Sequence, residues 1–290
     1  MGYRAVAVFT ILAVTFLSVS AKHAHVKSNK LCNLYEGEWV FDNSYPLYDS
    51  NKCPFLIQQF NCSGNGRPDR GYQKYRWQPH NCNLPRVRGK RMMFVGDSIS
   101  MNQWQSLACM IHGAFPRAAH TTRRLGLLST IVFPQFNFTL MYSRNAFLVD
   151  ITKEKSRRVL KLNKIGGSVK QCGKIWEGMD ILIFDSWHWW LHTGRQQPWD
   201  LIRYGNLTLK DMNRLFAYEK ALQTWAKWID FHVDPTKTKV FFQGVSPDHA
   251  RIDEHPSVCG NGGHHSHDCS HWCLTGVPDT WNELLYAALV

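Results

Sequence analysis

Ser98 stands in the segment FVGDSIS, between an apolar run ending at Val95 and a stretch whose apolar residues recur at helical spacing. A serine at such a strand-to-helix turn exposes its hydroxyl and keeps its own N–H free, and the helix N-terminus adds partial positive charge that can stabilise an oxyanion. An ordinary helix cap is the commoner use of Ser and Asp at this position. A hydroxyl nucleophile also needs a base, and a carboxylate to hold that base in the right tautomer. The segment HDCSHWC places Asp268 three residues before His271, so one short loop can supply both. With His264, His265, His267, Cys269 and Cys273, the same loop also has the donors of a zinc site. Directly after Phe184 and Asp185 comes the run Trp187, His188, Trp189, Trp190, whose flat rings suit either sugar stacking or a packed core.

These residues need a scaffold. Met92 to Val95, Asp180 to Phe184 and Lys239 to Phe242 read as buried strands, and Ser100 to His112 and Leu209 to Phe231 as helices. Strands alternating with helices predict an α/β fold with a parallel sheet covered on both faces. In such sheets ligands sit at the carboxyl ends of the strands, where Ser98 and Asp185 both fall. Residues 31–88 are rich in Cys, Pro, Asn, Gly and Trp and lack helical periodicity, so they read as a loop-rich, disulfide-stapled N-terminal subdomain.

The chain of 290 residues is 44% hydrophobic and 13% aromatic, which excludes disorder as the whole answer. Residues 1–21 have the layout of a secretory signal peptide: Arg4, an apolar run from Ala5 to Val19 of about fifteen residues, then Ser20 and Ala21. That run is short of the ~20 residues a membrane-spanning helix needs. A membrane association is therefore expected only if the segment is retained as an anchor. All nine cysteines follow it, as do the sequons at Asn61, Asn137 and Asn206, and both features fit an oxidising secretory compartment, the Golgi lumen or the extracellular wall. Nine is odd, and spacing does not give connectivity, although Cys32, Cys53, Cys82 and Cys109 look like staples across the N-terminal region. The formal net charge of +12 calls for an anionic partner. The secretory features make nucleic acid an unlikely one and direct the charge towards acidic glycans. No GxSxG elbow, P-loop or GxGxxG occurs, so nucleotide cofactors have no support.

Taken in order, NGRPD (Asn65 to Asp69), YRWQPHNCNLPR (Tyr75 to Arg86), FVGDSIS, FDSWHWW (Phe184 to Trp190) and DCSHWCLTGVPDTWNELLY (Asp268 to Tyr286) resemble the plant trichome birefringence-like family. That family is a branch of the GDSL/SGNH-type esterase fold, and its members resemble cell-wall polysaccharide O-acetyltransferases. The resemblance implies a three-layer α/β/α domain over 89–290 and a catalytic Ser98 with His271 as base and Asp268 orienting it. It also implies an acetyl donor of unstated identity, with no bound cofactor and no metal. Gly96, Asn102, Asp185, His188 and Trp189 are further candidates for the oxyanion hole or substrate contacts. The partner would be a wall polysaccharide, with the basic charge favouring pectin over neutral xylan.

Two departures from the family pattern stand out. Asp185 occupies a place where the family often has Asn, and a carboxylate donates no hydrogen bond unless protonated. The family also has several dozen residues between its GVSPDH and HPSVYG segments, whereas here Gly244 to His249 runs into Arg251 to Cys259 with only Ala250 between. The domain thus reads as shortened near 249–251, which would orphan one disulfide partner. Three functions follow: an O-acetyltransferase, an acetylesterase in which water is the acceptor, and a non-catalytic pectin-binding wall protein if the shortened domain is inactive.

Overall fold

The computed structural model describes residues 33–65, 67, 69–80, 89–162, 169–244 and 271–289. Outside the described residues lie the signal segment 1–21, Asp268, the run His264 to His267, the junction at 249–251, and Cys32, Cys82, Cys259 and Cys269.

The centre of the fold is β3 (Arg91–Gly96), buried along its length after Arg91. An apolar run with no polar alternation can satisfy its backbone only inside a sheet covered on both faces. β3 pairs in parallel with β6 (Phe138–Arg144) on one side and β9 (Ile181–Phe184) on the other, and β12 (Lys239–Phe242) adds in parallel to β9. The sheet continues antiparallel through β5 (Leu128–Phe133) and β4 (Thr121–Leu125), giving the order β12-β9-β3-β6-β5-β4. The three strands expected from the sequence are present and mutually parallel. The β4–β5 hairpin escaped the reading because β4, TTRRL, is exposed throughout and has no apolar pattern.

Alternation along the strands builds the layers. Met92, Phe94, Ile181 and Ile183 face Trp104 and Ala108 of α1 (Ser98–Ala114) and Leu285 of α4 (Val277–Ala288). Met93, Val95, Leu182 and Phe184 face Trp176 of α2 (Lys170–Trp176) and Ala217, Ala221 and Trp228 of α3 (Arg214–His232). That second layer also holds a small sheet of order β11-β10-β8-β7, formed by β7 (Ile151–Glu154), β8 (Arg157–Lys161), β10 (Leu201–Tyr204) and β11 (Leu207–Leu209). The result is a three-layer α/β/α domain. α3 starts later than the expected Leu209, because 207–209 pairs with β10 and the Asn213 side chain caps the helix by accepting the Phe216 N–H at 3.0 Å.

The N-terminal region is more ordered than a set of loops. β1 (Asn33–Phe41) and β2 (Tyr75–His80) form an antiparallel ladder, and short 3-10 turns fill the space between them. Among the described residues two disulfides tie it down: Cys53 to Cys109 of α1, and Cys62 to Cys273 just ahead of α4. Among the described residues Cys172 of α2 is the one cysteine outside a disulfide, and burial pushes its thiol pKa up. Among them, too, no helix is long and apolar enough to cross a membrane.

Candidate active site

Ser98 is the first residue of α1, and the chain reaches it through Gly96 and Asp97 at the carboxyl end of β3. Asp97 caps the helix, its carboxylate accepting the Ile99 N–H at 2.9 Å, while its carbonyl accepts the Tyr142 hydroxyl at 2.8 Å. The turn is therefore fixed from the helix side and from β6. Gly96 is needed for close approach: a Cβ there would lie 2.4 Å from Ser100 Oγ and 2.5 Å from the Asp185 carbonyl. Gly96 thus contributes by its size, letting β3, β9 and the first turn of α1 converge.

Asp97 and Asp185 form a buried carboxyl pair under that first turn, with relative exposures of 1% and 4%. Burial pushes both upward. Asp185 is raised well above the usual carboxylate range, by burial first and then by the Asp97 charge, while the Ser186 and Ser100 N–H groups act in the opposite sense. Two adjacent carboxyls in a dry site cannot both ionise. Asp97 accepts the Ile99 N–H and feels the nearby His188 and His271, which act against its rise, so Asp185 is the member of the pair pushed further towards the protonated form. In its protonated form Asp185 offers the donor and acceptor of an amide, the group the family often has at this place. Its place is behind Ser98, beneath the helix terminus, and not on the cleft wall.

A stability prediction follows. The unfolded chain releases the Asp185 proton above about pH 4, where the folded chain still holds it, so this group lowers stability as pH rises through that range. Asp185→Asn keeps the hydrogen bonds and removes the ionisation. The variant melts higher than the parent at neutral pH, and the gap closes towards pH 4. Equal melting curves across pH 4 to 8 would show that Asp185 is ionised in the fold.

His271 lies across a cleft of about 630 Å³ that Ser98 also lines. The N-terminal region orients its ring: Gln59 Nε2 is 3.4 Å from Nδ1, and the Phe60 ring centroid is 5.5 Å away. The Leu274 N–H donates to the Phe60 carbonyl at 3.0 Å, and the Cys62–Cys273 bond sits two residues beyond the histidine. From the helix side Asn102, one turn after Ser98, grips the neighbouring backbone. Its Nδ2 donates to the Trp272 carbonyl at 3.2 Å and its Oδ1 accepts the Trp272 N–H at 3.0 Å. The expectation of Asn102 as an oxyanion donor is thereby corrected: it is fully buried, does not line the cleft, and uses both amide atoms to hold the His271 segment against α1.

A serine at a helix N-terminus and a held histidine lining the same cleft are parts that serine acyl chemistry uses. Comparison with known proteins decides the family. Residues 80–251 and 250–288 match the PC-Esterase model, described as the GDSL/SGNH-like acyl-esterase family found in Pmr5 and Cas1p, and residues 30–83 match the PMR5 N-terminal domain. The chain belongs to the PC-esterase family. It is similar to protein trichome birefringence-like 43 of Arabidopsis thaliana, 49% identical over 90% of this chain and 88% of the relative. The trichome birefringence-like 39 and 38 proteins of the same plant are 45% and 44% identical over 89% of this chain, covering 87% and 84% of their own lengths. The alignment with the first runs over 330 positions, more than this chain contains, so that relative carries residues with no counterpart here.

In this PC-esterase the tryptophan run divides. Trp190 is fully buried and donates from Nε1 to Ser186 Oγ at 3.0 Å, and Trp187 packs edge-on to Tyr218 at 5.0 Å. Trp189 alone of the three lines the cleft. His188 also stays off the cleft wall and supplies a backbone N–H to Asp97. Sequence reading did not pick out Gln59, Phe60, or the arginines at 123, 124 and 144 that line the cleft. Nothing local marks them, because Gln59 and Phe60 come from a 3-10 turn, Arg123 and Arg124 from the polar β4–β5 hairpin and Arg144 from the end of β6, all remote from Ser98 in the chain. Among the described residues no group of three or more His, Cys, Asp or Glu is placed to hold a metal ion.

Proposed function

We propose that this PC-esterase transfers an O-acetyl group to a hydroxyl of a plant cell-wall polysaccharide through an acyl-serine at Ser98. The observation supporting this most directly is that Ser98, at the N-terminus of α1, and His271, clamped by Asn102 and the Cys62–Cys273 bond, line one cleft. Ser98 Oγ attacks the acetyl carbonyl of the donor as His271 takes its proton, and the Ser98 N–H with the helix dipole stabilises the oxyanion. The donor's alcohol or thiol departs with the proton from His271. A sugar hydroxyl then attacks the acyl-serine, His271 takes that hydroxyl's proton, and the proton returns to Ser98 Oγ. Asp268, three residues before His271, holds the imidazole tautomer.

Intact-mass spectrometry after exposure to an activated acetyl ester tests the reading. One acetyl group added transiently at Ser98, and discharged faster by an added wall oligosaccharide than by water, is the expected result. Discharge at the same rate with and without the sugar makes the protein an acetylesterase, and a folded chain that acquires no acetyl group refutes acyl-serine chemistry altogether.

The proposed location is the secretory pathway, Golgi lumen or wall. Asn137, exposed at a turn with φ of 48°, and Asn206, exposed between β10 and β11, are open to glycosylation. Asn61 is half-buried, with its carbonyl oxygen accepting the Gly64 N–H at 2.9 Å, and the following Cys62 is fully buried in a disulfide. Two glycans are expected on the plant-expressed protein, one removed by Asn137→Gln and the other by Asn206→Gln. A mass unchanged by peptide N-glycosidase treatment would count against this route.

A further inference from the structure

A carboxyl group that the acyl-serine chemistry leaves unused is buried in the first turn of α4. Asp279 is 6% exposed, and burial pushes its pKa up to about 6, with Ser106, the Gly276 N–H and Tyr48 acting against the rise. Its hydrogen bonds run to three different parts of the chain. Oδ1 accepts the Ser106 hydroxyl of α1 at 2.5 Å and the Tyr48 hydroxyl of the N-terminal region at 2.9 Å, while Oδ2 accepts the N–H of Gly276, the residue that caps α4, at 2.9 Å. A carboxylate suits this junction because it offers acceptors only, whereas an amide of the same shape would turn an N–H towards one of these donors. Asn282, on the next turn of α4, reinforces the α1 side: its Nδ2 donates to the Gln103 carbonyl at 3.0 Å and to Ser106 Oγ at 2.8 Å. Tyr45 donates its hydroxyl to Glu283, one turn after Asp279, so two tyrosines of one N-terminal segment hold two carboxyls of one helix.

The parts joined at Asp279 are the ones that place the catalytic pair. α1 carries Ser98 about two turns before Ser106. The N-terminal region sets Gln59 and Phe60 beside the His271 ring. α4 is capped five residues after His271, and the intervening loop is closed tightly, since a Cβ on Gly276 would lie 2.6 Å from the Cys273 carbonyl oxygen. Asn102 and the Cys62–Cys273 bond hold the histidine end of that loop, and Asp279 holds its helix end against the same α1. Packed helices slide past one another by small shears when only apolar contacts join them, and a buried hydrogen-bond network specifies one register.

We propose that Asp279 is a positioning residue for acyl transfer: by joining Ser106, Tyr48 and the cap of α4 at one carboxylate, it sets the His271 segment against α1 and thereby the imidazole relative to Ser98. This inference rests on the acyl-serine reading of the cleft. Misplacement of a reacting group by about 1 Å costs on the order of 10²-fold in rate. Neither Asp279 nor Ser106 nor Tyr48 lines the cleft, so ground-state binding of substrate is untouched and the loss falls on kcat.

Tyr48→Phe and Ser106→Ala each lower kcat per folded molecule on a small acetyl ester by about tenfold, with KM within about twofold of the parent. Thr238→Val is the control. It removes a hydroxyl bond to the Met179 carbonyl at 2.6 Å, at the opposite end of the parallel strands, and lowers the melting temperature with kcat within about twofold. The ring of His271 is followed directly by NMR of protein carrying 13C-labelled histidine, its resonance assigned by its loss in His271→Gln. That resonance shifts in Tyr48→Phe and Ser106→Ala and stays in place in Thr238→Val. Variants that melt lower but keep the parent kcat and the parent His271 resonance overturn the proposal, because Asp279 then serves stability alone. A raised KM at unchanged kcat overturns it too. If the parent acquires no acetyl group at Ser98, the acyl-serine reading fails, and the His271 resonance still decides whether Asp279 places the ring.

Discussion

Ser98→Ala lowers kcat/KM on a small acetyl ester by about 10⁴-fold or more, the scale seen when a serine nucleophile is removed and only oxyanion binding remains. The folded scaffold survives the change, because Ser98 is the first residue of α1 and the capping bond is made by Asp97. His271→Ala produces a loss of similar size, and the double variant is scarcely worse than either single one, since the two side chains act as a unit. Additive losses would show that His271 works apart from Ser98. A Ser98→Ala protein with more than a tenth of the parent rate would end the acyl-serine reading, and the binding function would then stand alone.

Removing the Cys62–Cys273 bond with Cys62→Ala and Cys273→Ala lowers stability by about 2–5 kcal/mol, the usual worth of a native disulfide in a secreted protein. The bond joins residues 211 apart in sequence, and both sulfurs are almost fully buried, so cavity terms add to the loss of chain constraint. Activity falls further than the folded fraction does. Cys273 is two residues from His271, and Arg67 Nη1 donates to its sulfur at 3.3 Å, so the cut loosens the segment, which is then held by Asn102 and by the Leu274 bond to the Phe60 carbonyl. Cys53→Ala with Cys109→Ala is the control. It also costs stability, but it anchors the far part of α1, and kcat per folded molecule is expected to stay within about twofold because no site residue is displaced. Thermal melts alongside active-site titration separate the two effects, and equal kcat losses in both pairs would show that the disulfide acts on stability only.

The sequence by itself determined the central machinery. The apolar run before Gly96, the helical spacing after Ser98 and the later runs at 180–184 and 239–242 specified parallel strands with the serine at their carboxyl end, because hydrophobic period and length are local properties. The ordered motifs from NGRPD to the C-terminal helix carried the family. The tertiary structure decided everything that depends on residues distant in the chain. It turned Asn102 from an oxyanion candidate into a clamp, through a bond across 170 residues of sequence. It divided Trp187, Trp189 and Trp190 between core and cleft, which composition cannot do because an aromatic ring suits both. It joined Cys62 to Cys273, a connectivity that no spacing reveals. It gave Asp185 a carboxyl neighbour and a dry site, which push its pKa well above the usual carboxylate range, whereas the sequence carries only its model-compound acidity. It also brought an exposed, patternless hairpin to the cleft, so that part of a chain-wide excess of positive charge became arginines lining the same cleft as Ser98. Pattern along the chain fixes which elements form and which face they bury, and only packing fixes what stands across from a side chain.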